Sequence, residues 1–248
     1  NLFYMKKIFQ YITYTSLAVL LLNATGCKKD YTNPNAATSA QVFSSAKGLA
    51  GVAVGLQRTY AAGVAYGMAD ANGLTTGETI LLNAGNGSEL QFSTGGTAVD
   101  GTNALLGNLW STSNKIIYDA NNVIAGAASV TDKGYASGLI GYASIFKALS
   151  IGSQSSFWEK VPDTVGTTAT AFIDRMTGFG RAVATIDKAL AAITASPISA
   201  SFLTDIPAGV DIVNTLNALK ARYLLFSGNY AGALAAANAV DLAKKSTL

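Results

Sequence analysis

The chain has 248 residues, of which only 12% are charged, and a formal net charge of +3. It contains no histidine and a single cysteine, Cys27. That excludes the commonest general base and metal ligand, the usual Ser-His and Cys-His nucleophilic pairs, zinc sites of cysteine and histidine, and any internal disulfide. No run of basic residues exceeds two, so the electrostatic footprint of a nucleic-acid binder is missing.

The front end reads as an export signal over residues 1–26, with Met5 as the expected true start. Lys6 and Lys7 form a basic region, Ile8 to Leu22 an apolar stretch, and Ala24-Thr25-Gly26 a small-residue cleavage site. The apolar stretch is shorter than the ~20 residues that cross a bilayer, and Gln10, Thr13, Thr15 and Ser16 interrupt it. A cysteine directly after such a site is expected to carry lipid, making Cys27 a membrane anchor. Ala24 departs from the leucine usual three places before a lipidated cysteine. Removal of Lys6 and Lys7 leaves 15 basic against 14 acidic side chains, so the mature surface has almost no net charge.

Residues 27–37 read as an extended polar tether, in which Pro34 biases Asn33 away from helix. From 38 to 248 an all-α domain is expected. Its first helix starts at the capping-box sequence Thr38-Ser39-Ala40-Gln41 and runs to about Ala61. Gly63 to Gly107 holds ten of the 25 glycines. It reads as a long Gly/Asn-rich loop, with Leu74 to Leu82 and Leu90 to Phe92 as short strands or extended passes.

Helical stripes then follow one another. Leu109 to Ala127, Tyr135 to Leu149, Ile173 to Ile193 and Ile212 to Phe226 carry apolar residues at three- and four-residue steps. Turns are expected at Thr131-Asp132-Lys133-Gly134, Val161-Pro162-Asp163, Ser196-Pro197 and Ile206-Pro207. Ala221, Leu224, Gly228, Tyr230 and Ala233 fall at tetratricopeptide-like spacings, although Asn217 and Lys245 replace that repeat's tryptophan and proline. The expected architecture is a superhelical scaffold of tetratricopeptide-like hairpins. A final hairpin without a polar capping helix is expected of a longer protein.

Together these pieces resemble the N-terminal part of the RagB/SusD family of nutrient-uptake outer-membrane lipoproteins. The resemblance is carried by Gly26-Cys27-Lys28-Lys29-Asp30 with Asn33-Pro34-Asn35, and by Gln41 to Ala61, Gly73 to Asn86, Leu109 to Ala127, Asp132 to Gly152 and Phe157 to Pro162. It implies a helical cell-surface protein, lipid-anchored in the outer membrane, without enzymatic activity or cofactor. It implies two partners: a SusC-type TonB-dependent transporter, and an oligosaccharide or other nutrient passed to it. It also implies that Lys28, Lys29 and Asp30 act as an address for surface export.

Trp110 and Trp158 are the candidates for stacking on a sugar ring, since a flat apolar face matches one and the indole N–H donates. Packing between helices is the simpler expectation for both. Tyr66 lies in the glycine-rich stretch and is the more exposed candidate. Asp70, Asn72, Glu78, Asn83, Asn86 and Glu89 could orient a glycan from that loop, while Asn72-Gly73 and Asn86-Gly87 are equally ordinary turn sequences. Two other functions remain open from the residues: a helical-repeat scaffold that binds only protein, and a carboxylate-dependent hydrolase. The latter is disfavoured because only three glutamates, Glu78, Glu89 and Glu159, are present.

Overall fold

A computed structural model describes residues 4–8, 11, 14, 15, 38–83, 85–166, 168 and 170–247. Cys27, the tether and most of the export signal lie outside the described residues. The chain forms two compact units, Asn1–Thr38 and Ser39–Leu248. In the first, the described residues before Thr38 are helical and exposed. Among the described residues no helix is long and apolar enough to cross a membrane.

The second unit is mostly helical: α1 (Ser39–Phe43), α2 (Ala46–Thr59), a π-helical segment (Tyr60–Ala65), α3 (Tyr66–Thr76), α4 (Gly87–Thr94), α5 (Ala104–Ala127), α6 (Lys133–Phe157), α7 (Arg175–Ala195), α8 (Ala200–Leu203), α9 (Ile212–Phe226) and α10 (Tyr230–Asn238). Two short strands, β1 (Lys160–Pro162) and β2 (Phe172–Asp174), pair antiparallel between α6 and α7.

Helix α6 is the axis of the fold. Nineteen of its 25 residues are buried, because α2, α5, α7 and α9 all pack on it. A helix buried all round needs apolar or small residues on every face: most of the large ones fall on the Tyr135 to Leu149 stripe, and small residues elsewhere let its neighbours approach. A methyl group on Gly138 would sit 2.3 Å from the Phe202 ring, and one on Gly152 would sit 2.2 Å from the Tyr223 ring. Tyr142 and Phe146 fill the centre edge-to-face, with ring centroids 5.2 Å apart. Burial pushes the Tyr142 phenol up to about 12, and its hydroxyl donates to Gln57 Oε1 at 2.5 Å.

The long helices begin where short polar side chains can cap them. Asp132 accepts from Tyr135 N at 3.0 Å, Asp174 from Thr177 N at 3.0 Å, and Asp211 from Asn214 N at 3.0 Å. Gly228 and Asn229 make the turn between the last two helices. Gly228 adopts φ +78°, and Asn229 caps α10 through Gly232 N.

Three expectations need correction. The first helix is broken at Ser44-Ser45, where Ser45 starts a new cap on Gly48 N. It does not end near Ala61 but continues through the π segment into α3, to Thr76. The Gly63 to Gly107 loop is therefore largely helical, and neither Leu74 to Leu82 nor Leu90 to Phe92 is a strand. Two of the glycines there are contact points with α5: a Cβ on Gly67 would lie 3.3 Å from Leu109, and one on Gly63 2.8 Å from Thr112. Packing against α5 overrides weak helix propensity. Finally, Val161-Pro162-Asp163 is not a simple turn, since Val161 and Pro162 belong to β1.

Candidate aromatic site

The structure brings Trp110 and Trp158 together. Trp110 lies in the second turn of α5, and Trp158 is the extended residue that ends α6. Because α5 and α6 run antiparallel, Gln154 Nε2 donates to Asn114 Oδ1 at 3.0 Å. Four residues back along α5 and four onward from Gln154 are the two tryptophans. Their ring centroids are 5.0 Å apart with planes at 70°.

The β ribbon supplies a third ring. Phe172 pairs with Pro162 across the two strands, and its ring stacks on Trp110 at 6.1 Å and 17°. Phe172 is 58% exposed, and both tryptophans are half-buried. Arg181 fixes the ribbon by donating to the Pro162 carbonyl at 2.7 Å. Phe157 packs behind the site, 6.0 Å from Trp158, and also touches the small apolar cluster of Ala71, Leu74 and Phe92. The tryptophans are thus neither sealed in the core nor isolated. They pack on each other and leave apolar ring surface at the margin of the fold.

The other candidates are distributed differently. Tyr66, in the first turn of α3, is 65% exposed. Asn72 is exposed further along that helix, and Glu78, Asn83 and Asn86 are exposed in the connection to α4. Glu89 is half-buried in the first turn of α4. Asp70 is half-buried, with Oδ2 shielded from solvent and without a hydrogen-bond partner among the described residues. No hydrogen bond or ring contact among the described residues joins any of these seven to the tryptophans. Asn83 has a turn role, accepting from Gly85 N at 3.0 Å. Among the described residues no group of three carboxylates or thiols could hold a metal.

Two residues escaped the sequence reading. Phe172 reaches the site only through strand pairing, which leaves no local signal. Asn103 was legible as a helix cap before the apolar run of α5. It is 3% exposed; its Oδ1 accepts from Leu105 N and Leu106 N, and its Nδ2 donates to the Ser88 carbonyl and Gln91 Oε1. One side chain thereby caps α5 and ties α4 to it. Asn103→Ala is expected to cost about 2 kcal/mol, a lost cap plus buried groups left unpaired. Urea denaturation measures the loss, and amide exchange should quicken in α4 more than in α6.

No family model, curated protein or solved structure matches the chain.

Proposed function

We propose that this chain belongs to a SusD-like surface lipoprotein, which captures an oligosaccharide or related nutrient and passes it to a SusC-type TonB-dependent transporter. Capture involves no bond chemistry, and the protein is not an enzyme. Cys27 carries the lipid anchor in the outer membrane, and Lys28, Lys29 and Asp30 belong to the export address. The helix pairs, including the α9–α10 hairpin, form a tetratricopeptide-like scaffold. The observation that carries the reading is the meeting of Trp110, Trp158 and Phe172. Flat rings at a surface bind the apolar faces of sugars, and a ring N–H or neighbouring polar groups set orientation.

Screening the full chain on a glycan array tests the capture step. Incorporation of a labelled lipid precursor, compared with Cys27→Ser, tests the anchor; equal labelling would remove it. A second reading, a scaffold that binds protein alone, draws support from Leu225, Phe226, Tyr230 and Leu234. These four residues of α9 and α10 are 43–70% exposed. No glycan retained by the array, together with a protein partner lost on Tyr230→Ser, would favour that reading.

A further inference from the structure

Away from the aromatic rings, a cleft of about 240 Å³ opens between α5, α6 and α7. Its floor is apolar, from Ile124 and Ile140. Its polar lining includes Ser144, Lys147, Arg181 and Lys188, and no carboxylate. Lys147 sits in the middle of the buried helix α6 and is itself half-buried. Neither Lys147 nor Lys188 has an ion pair or hydrogen bond among the described residues. Of the nearby acids, Asp187 pairs with Lys220 at 2.6 Å, outside the cleft, while Asp163 lies 3.9 Å from Arg181 Nε and offsets part of that guanidinium's charge, leaving the two lysines uncompensated.

Charge is rarely placed in such a setting without a counter-charge. Burial lowers the Lys147 pKa, and the neighbouring Arg181 and Lys188 charges lower it further. The cleft gathers these three cationic groups around one apolar floor, with Lys147 half-buried and Lys188 at its exposed side. Its donors outnumber its acceptors. Two ammonium groups are free, the Ser144 hydroxyl has no partner among the described residues, and Arg181 uses one N–H on the Pro162 carbonyl. Thr185 spends its hydroxyl on the Arg181 carbonyl at 2.9 Å. A set of donors around an apolar floor is the complement of a small oxyanion with a compact carbon frame.

We infer that this cleft is a binding site for a small oxyanion, a carboxylate, sulfate or phosphate group, held by Lys147, Lys188, Arg181 and Ser144. It is separate from the aromatic site and does not depend on sugar stacking there. The volume corresponds to about eight waters at ~30 Å³ each, enough for one such group on a single ring and too small for a chain.

The test is calorimetric titration of the full chain with sodium glucuronate, sulfate or phosphate at matched ionic strength, chloride serving as the reference. At least one oxyanion should give saturable one-to-one binding that weakens tenfold or more in Lys147→Met and in Lys188→Gln. Which oxyanion binds tells carboxylate from sulfate or phosphate. Lys147→Met should also melt higher than wild type without added anion, since it removes an unpaired charge. If it fails to fold, the exposed Lys188→Gln decides alone. Absence of saturation with all three probes, or equal affinity in wild type and variants, overturns the site. Neutral-glycan binding should be unchanged in both variants, so failure here is distinguishable from failure at the tryptophans.

Discussion

Gly152→Ala is expected to lower the melting temperature by roughly 5–10 °C, despite improving helix propensity. The alanine contributes about 1 kcal/mol toward α6 as a helix. Against that, its methyl group would stand 2.2 Å from two ring carbons of Tyr223 and 2.4 Å from its hydroxyl oxygen. Tyr223 has no room to withdraw. It is 3% exposed, and its ring stacks on Phe179 at 6.0 Å and 22°. Overpacking of a constrained core costs about 1–3 kcal/mol and occasionally more. This contact belongs at the upper end, leaving a net loss of about 2–3 kcal/mol, or roughly 2–4 °C per kcal/mol in a chain of this size.

The control lies in the same protein. Gly51 and Gly55 are exposed on α2 and have nothing within 4 Å of a built Cβ, so alanine there should stabilise by about 0.5–1 kcal/mol each. Thermal denaturation followed by circular dichroism separates the cases. If Gly152→Ala melts at or above wild type, the close approach of α6 to α9 is not a feature of the fold.

The same contrast explains what could be read from the sequence. Helices α5, α7 and α9 were legible because each buries one face, leaving apolar residues at three- and four-residue steps, and α6 was legible from the same steps between Tyr135 and Leu149. Around α3 the reading failed. Gly63, Gly67 and Gly73 look like loop residues in a linear sequence, yet they mark where a helix approaches α5 or its own following turn. Smallness serves both purposes, and only the partner decides between them. Ser45 was similarly ambiguous, since a hydroxyl inside a helical stripe either bonds back to the preceding turn or starts a new helix.

Within the candidate site, the tryptophans were legible as residues but not as a pair. A hairpin reversing at Val130 would set Trp110 opposite Ser150. The observed partner, Trp158, lies about two helical turns further along α6. Register between helices is set by side-chain packing, here including the Asn114–Gln154 bond, and not by loop length. Lys147 did leave a signal: a lone charge inside Ser144-Ile145-Phe146-Lys147-Ala148-Leu149, between two apolar steps of a buried helix. Its meaning needed Arg181 and Lys188, which arrive from a helix nearly forty residues later.

For the aromatic site, Phe172→Ala is expected to separate binding from folding more cleanly than either tryptophan. Phe172 is more than half exposed and lies on a three-residue strand, so its removal forfeits little beyond the stacking on Trp110, about 1 kcal/mol. Trp110→Ala and Trp158→Ala each strip one ring from the other's edge and open a half-buried gap, a stability loss of about 3 kcal/mol. On the glycan side, covering about 80 Å² of apolar ring surface contributes roughly 2 kcal/mol, so each tryptophan variant should weaken a neutral glycan by about 30-fold. Phe172→Ala should weaken it by several-fold while retaining wild-type helicity. The ordering is the decisive part. Binding lost in step with unfolding, and kept in Phe172→Ala, would make the rings a packing device that joins the β ribbon to α5. Binding lost in all three variants, with circular dichroism unchanged at the assay temperature, would make them the surface on which the ligand rests.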